Sequence, residues 1–210
     1  MEKGDRYNGI IRSCIDTFAS TNYDKATTAL LAKEAGIAEG TLYKYFASKK
    51  ELFLECVRYI EGQLIERYTR IYEETRGRPL EYVKRVALSY QEYVRENPNV
   101  RKFMAFLLNN TYDDDFRNEL VGFLNLNIAM TERSLAAAMQ AGELGNSVDP
   151  HVAAWFFVGG YFTLVLMYEI EGEDALDPGF LREYLDILFQ PGEAPGTFAG
   201  EAKGDGRSGV

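Results

Sequence analysis

Residues 39–45, Glu-Gly-Thr-Leu-Tyr-Lys-Tyr, place hydroxyl, phenol and ammonium groups at helical spacing. At 100° per residue Leu42 points to one side, and Tyr45 and Phe46 lean the same way. Gly40 and Lys44 fall on the opposite side, flanked by Thr41 and Tyr43. An apolar side for packing and a polar side left free is the division a helix needs to read base edges in a DNA major groove. Gly40 has no side chain, so the backbone could approach the groove wall. Lys44 and Thr41 can donate to base edges or phosphate, and Tyr43 can stack on a sugar or a thymine methyl.

The flanking residues supply the elements that must hold this helix. Thr27 reads as the N-cap of a helix over Thr28–Ala35, ended by Gly36. Free N–H groups and the positive dipole end at Thr27 and Thr28 attract phosphate. Ser48-Lys-Lys-Glu51 is a capping box that opens the next helix, with Lys49 as another phosphate contact. Two short helices joined by a Gly-centred turn have helix-turn-helix geometry, which carries the second helix into a groove. The competing reading of Tyr43, Tyr45 and Phe46 is plain core.

The combination resembles the TetR family of bacterial transcriptional repressors. The residues concerned are Thr28, Ala35-Gly36, Gly40-Thr-Leu-Tyr-Lys-Tyr-Phe46 and Ser48-Lys-Lys-Glu-Leu52. The resemblance covers about residues 7–55. It implies operator contacts from Thr28, Gly40, Thr41, Tyr43, Lys44, Tyr45 and Lys49. It also implies a divergent helical C-terminal domain that binds a small ligand and dimerises through its last two helices. Glu39 departs from the pattern, because a cation or small polar residue is frequent there. A carboxylate could accept from a cytosine amino group or cap the helix.

Beyond the motif, apolar residues recur at three-to-four spacing and β signals are almost absent, so an all-α fold of about nine helices is expected. The first helix carries Ile11, Cys14, Ile15 and Phe18 on one face. A long helix runs from Lys49 to about Glu74. Pro79 starts another, which stops before Pro98. Asn97-Pro98 opens a short apolar helix through Leu108, and Asp113–Asp115 begins a long one to about Ala141. Asp149-Pro150 and Asp177-Pro178 are cap-plus-N1 signals for the last two. The expected division is a DNA-binding domain over 1–48, a ligand-binding and dimerisation domain over 49–190, and a disordered tail over 191–210, which contains Pro191, Pro195 and many glycines.

The formal net charge is −9, yet residues 1–50 hold eight Lys and Arg against six Asp and Glu. The remainder holds fifteen against twenty-six. The N-terminal segment can therefore sit on phosphate while the acidic body is held away. Cys14 and Cys56 fall on helical patterns and read as buried thiols rather than a disulfide. No apolar leader opens the chain, so a cytoplasmic location is expected. Val152–Tyr168 is nearly all apolar, but it is shorter than a span of about 20 residues and is interrupted by Gly159-Gly160 and Thr163. It reads as a buried helix rather than a membrane span.

Aromatic residues concentrate between 103 and 162, which suits an apolar cavity with a few orienting hydrogen bonds. Phe103, Leu107, Asn127 and Tyr161 are the expected ligand-binding residues, although an aromatic stripe is commonly core. The apolar run around Gly159-Gly160, with the amphipathic helix Phe180–Phe189 (Leu181, Tyr184, Leu185, Leu188), suggests a two-fold interface. The competing reading is packing within one chain. The lone His151 has no catalytic or metal constellation around it, so no catalysis, metal or cofactor is expected. The resulting expectation is a homodimeric repressor released from a palindromic double-stranded operator by an apolar or amphipathic small molecule. The rival is a helical carrier that sequesters apolar molecules.

Overall fold

A computed structural model describes residues 3–145, 149–171 and 178–189. Among these are nine helices and no strand: α1 (Lys3–Thr21), α2 (Thr28–Glu34), α3 (Glu39–Tyr45), α4 (Lys49–Glu74), α5 (Pro79–Glu96), α6 (Pro98–Asn109), α7 (Asp114–Gln140), α8 (Pro150–Glu171) and α9 (Pro178–Leu188). The expected tail over 191–210 lies outside the described residues.

Local chemistry sets most of the helix ends. The Thr27 hydroxyl accepts from Leu30 N at 3.2 Å and opens α2. The Ser48 hydroxyl accepts from Glu51 N at 3.0 Å and opens α4. The Glu51 carboxylate reaches back to Ala47 N, one residue before the Ser48 cap, rather than to the cap itself. Asp113 accepts from the N–H groups of Asp115 and Phe116 and opens α7. Proline at N1 starts α5 and α6, where its missing N–H costs nothing.

Two buried clusters hold the helices together. The first joins α1, α2, α3, the front of α4, the end of α5, α6 and the start of α7. Its centre is aromatic, with Phe18, Tyr23, Phe53, Phe103, Phe106 and Phe116 all in ring contact. Burying each large apolar side chain contributes about 1.5–3 kcal/mol. This cluster runs unbroken across the 48/49 junction. The second joins the end of α4, α5, α7, α8 and α9.

Leu181 and Leu185 of α9 are 1% and 2% exposed, in the second cluster. Their apolar sides are consumed inside the chain, which corrects the expectation that they face a second subunit. Among the described residues no helix is long and apolar enough to cross a membrane. Cys14 and Cys56 are buried and unpaired. Burial pushes the Cys14 thiol up to about 12 and that of Cys56 well above its ordinary value, so both stay protonated.

Candidate nucleic-acid interface and ligand cavity

The turn between α2 and α3 is built on Gly36, at φ +66°. Gly36 N donates to Lys33 O at 3.0 Å and Ile37 N to Ala32 O at 2.9 Å, a Schellman-type close that a left-handed residue requires. Leu31 and Ala32 of α2 and Leu42 of α3 are buried in the first cluster. α1 supports the far end of α3, where the Tyr7 ring lies 6.1 Å from that of Tyr45 and 5.5 Å from that of Phe46. Tyr7 is itself fixed by donating to Glu55 of α4 at 2.8 Å.

That packing leaves one face of α3 open. Glu39, Gly40, Tyr43 and Lys44 are exposed, and Thr41 is half-buried. Tyr45 is half-buried against the core, nearer to the packed side than to the open one. A Cβ built on Gly40 would meet nothing within 4 Å, and its φ is not positive. Neither packing nor backbone geometry within the chain requires a glycine there.

Glu39 has a definite partner. Thr28 donates to its carboxylate at 2.5 Å, and Tyr43 donates to the Thr28 hydroxyl at 3.2 Å. The three residues link α3 to the start of α2 on the exposed side. Glu39 thus holds an orientation, with remaining carboxylate lone pairs free to accept. Thr27 uses its hydroxyl to cap α2. Lys49 donates to Tyr23 O at 2.9 Å and lies 4.4 Å over the Tyr23 ring, which places its ammonium beside the aromatic centre. An ammonium has three donors, so two remain for phosphate.

The four expected ligand residues are not gathered at one site. Phe103 and Leu107 are 2% and 0% exposed in the first cluster. Phe103 borders a narrow crevice with Phe18, Tyr23 and Phe106. Asn127 lines a separate small void of about 30 Å³ with Tyr68, Tyr90, Phe123, Thr131 and Phe157. It donates to Phe123 O of its own helix at 2.8 Å. Tyr161 lies on α8, and its side chain is outside the described residues. A larger cavity of about 600 Å³ opens between α4, the start of α5 and α7. Tyr68, Thr69, Tyr72, Tyr82, Met130 and Ser134 line it. Tyr68 borders both spaces. The lining residues of the larger cavity were not among those expected from the sequence.

Fold and exposed helix together define a helix-turn-helix protein with a helical companion region. Residues 10–56 match the family model of bacterial regulatory proteins, tetR family. It is similar to the nucleoid occlusion factor SlmA of Marinomonas sp. (strain MWYL1), 30% identical over 106 residues, which are 50% of this chain and 52% of that protein. It is also similar to the fatty acid metabolism regulator protein of Bacillus subtilis (strain 168), 33% identical over 66 residues, 31% of this chain and 34% of that one. The chain therefore spans about half the length, or less, of these curated relatives. Among solved structures, the transcriptional regulator FadR from Bacillus subtilis in complex with stearoyl-CoA superposes with a TM-score of 0.76 at 21% identity, covering 89% of this chain and 100% of that one. SmeT, repressor of the Stenotrophomonas maltophilia multidrug efflux pump SmeDEF, gives 0.73 at 20%, covering 90% and 95%. At these identities the likeness concerns the fold.

Proposed function

We propose that the chain is a DNA-binding transcriptional repressor, released from a palindromic operator by an apolar or amphipathic small molecule. The observation that carries this reading is the open face of α3, where Gly40, Thr41, Tyr43 and Lys44 project from a helix locked from behind. A groove-reading helix has this form. Thr27, Thr28, Tyr45 and Lys49 border the same surface and supply backbone contacts. The protein works as a homodimer in the cytoplasm, and its role involves no catalysis.

The dimer is supported by α8, on which Val152, Trp155, Phe156, Gly159, Thr163 and Ile170 lie exposed along one stripe. An apolar stripe of this length left in water marks an association surface. The cavity between α4, α5 and α7 has the size and mixed lining of a small-molecule site. The bound stearoyl-CoA of the Bacillus subtilis structure supports a long-chain amphipathic effector. Such a ligand acts by preferring a conformation in which the two α3 helices no longer match successive grooves. α4 joins cavity to DNA head, because Tyr68 and Tyr72 lie on the helix that Ser48 caps beside α3.

Selection of bound sequences from random DNA by the purified protein, repeated with long-chain acyl compounds, tests this. A palindromic consensus, steep salt dependence and loss of binding with one compound class are the expected results. Absence of any enriched sequence would leave the helical carrier as the better reading.

A further inference from the structure

A second cleft, of about 430 Å³, lies between α4, α5 and α9. It is lined by Arg67, Arg70, Arg85, Arg95, Arg182 and Gln91. Its residues come from the side of α5 that carries Arg85, Leu88, Glu92 and Arg95, whereas Val86 and Tyr90 on the other side meet the Tyr68 void. Two carboxylates, Glu74 and Glu92, also border it, and Glu74 pairs with Arg85. Five guanidinium groups against two carboxylates make a concentrated positive site on a chain of net charge −9. Arg70 pairs with Glu66 at 3.7 Å, which leaves Arg67, Arg95 and Arg182 without a carboxylate partner among the described residues.

Gln91 supplies an independent sign. It is 7% exposed, and its Nε2 has no hydrogen-bond partner. A buried amide donor left unmade costs about 1–3 kcal/mol. Gln91 borders the cleft, and an acceptor bound there would satisfy the amide once its side chain turned outward. Guanidinium forks match phosphate oxygens bidentately. The volume exceeds that of a single phosphate and suits a larger organic group. Ile71 and Leu88 offer apolar surface for such a group.

We propose that this cleft is a binding site for a phosphate-bearing organic anion, held by Arg67, Arg70, Arg95 and Arg182 with Gln91 donating to a phosphate oxygen. The ligand is either a free nucleotide or the phosphorylated head of an amphiphile. The site stands apart from the cavity at Tyr72, so the inference does not rest on operator release.

Calorimetric titration of the full chain with ADP, pyrophosphate, coenzyme A, palmitoyl-coenzyme A and palmitate tests it. Arg95 and Arg182 make no ion pair among the described residues, so Arg95→Gln and Arg182→Gln should leave the fold intact, as checked by circular dichroism. The expected result is saturable binding of at least one phosphate-bearing probe, weakened tenfold or more by the double variant and by raised salt. Lys44→Ala, on the DNA face, should leave it unchanged. Equal loss for ADP and for both coenzyme A probes assigns a nucleotide site. Loss confined to the coenzyme A probes, with palmitate unaffected, assigns the head of an amphiphile. Failure of every phosphate probe to bind, or binding that the double variant leaves intact, overturns the proposal.

Discussion

Phe53 of α4 and Phe103 of α6 stack face to face, with ring centroids 4.1 Å apart and planes inclined by 11°. Phe53 lies four residues into the helix that follows the helix-turn-helix, and Phe103 sits midway along α6. Phe18 of α1 meets both edge-on, at 5.3 and 5.8 Å. The helix-turn-helix is therefore joined to α6 by stacked rings rather than by a free linker. Lys50 reinforces the joint, its ammonium 2.8 Å from Asp113 and 2.5 Å from Asp115 at the start of α7. A displacement of α6 or α7 reaches α1 and α4 through rings that cannot compress.

Phe103→Ala should cost about 3–5 kcal/mol in urea unfolding, because the ring is buried at the centre of the aromatic cluster. A double-mutant cycle with Phe53→Leu should return a coupling energy of about 0.5–1.5 kcal/mol. Strict additivity would show that the two rings are not energetically joined.

Gly36 and Gly40 should respond in opposite directions to alanine. Gly36 is held at φ +66° by the turn, so Gly36→Ala should destabilise by about 1–2 kcal/mol. Gly40 is an ordinary helical residue with open space around it, so Gly40→Ala should stabilise the free protein by about 0.5–1 kcal/mol. The same Gly40→Ala change should weaken operator binding, since the new methyl group projects from the groove-facing side. Thermal melts alongside gel-shift titrations separate the two effects. Unweakened DNA binding by Gly40→Ala would mean that α3 does not approach the groove closely.

Lys44→Ala and Tyr43→Ala should each cost about 1–3 kcal/mol in operator affinity while leaving helicity unchanged. Both side chains are exposed and contribute nothing to the core. Tyr43→Phe separates two roles, for it keeps the ring and removes only the hydrogen bond to Thr28. If ring stacking matters most, Tyr43→Phe binds nearly as wild type, and a loss equal to that of Tyr43→Ala points instead to the hydroxyl.

The helix ends and the exposed face of α3 were legible in the sequence because both are local. A cap or an N1 proline acts within four residues, as at Thr27, Ser48, Asp113, Pro79 and Pro98. The 3.6-residue period sorts Leu42 from Lys44 without knowledge of anything distant. What depends on how helices cross was not legible. Glu39 meets Thr28 across the turn, eleven positions away. Phe103 and Leu107 fill the core and Asn127 bonds to its own helix, because composition cannot separate a packed aromatic from one lining a cavity. Leu181 and Leu185 form an amphipathic stripe whose partner turned out to be the chain's own second cluster. The arginine cleft joins α4 and α5 to α9, about ninety residues further along the chain.

The burial of those leucines changes which substitutions should break a dimer. Phe156 and Trp155 of α8 are 76% and 53% exposed, so glutamate at either position leaves the folded protomer intact. Trp155→Glu with Phe156→Glu should give a folded monomer in sedimentation that binds the operator poorly. Leu185→Glu buries a charge in the second cluster and should instead lose helicity. A dimer that survives the α8 double variant would move the interface elsewhere.

Stability should also depend on pH through Glu61. This carboxyl is largely buried on α4, and one of its oxygens, Oε1, has no partner. Burial first, and then the nearby Glu119 carboxylate, push its pKa up to about 7, against the opposing pull of Arg58. In the unfolded chain the group ionises near 4.5. The folded state thus holds its proton more tightly than the unfolded state. The contribution to stability is complete below pH 4.5, is lost as pH rises from 4.5 to 7, and is flat above that. Glu61→Gln keeps the shape and removes the ionisation. Its urea midpoint should match wild type below pH 4.5 and exceed it at pH 8, with the gap opening across the same window. A gap that stays constant from pH 5 to pH 8 would show that Glu61 ionises alike in the folded and unfolded chain.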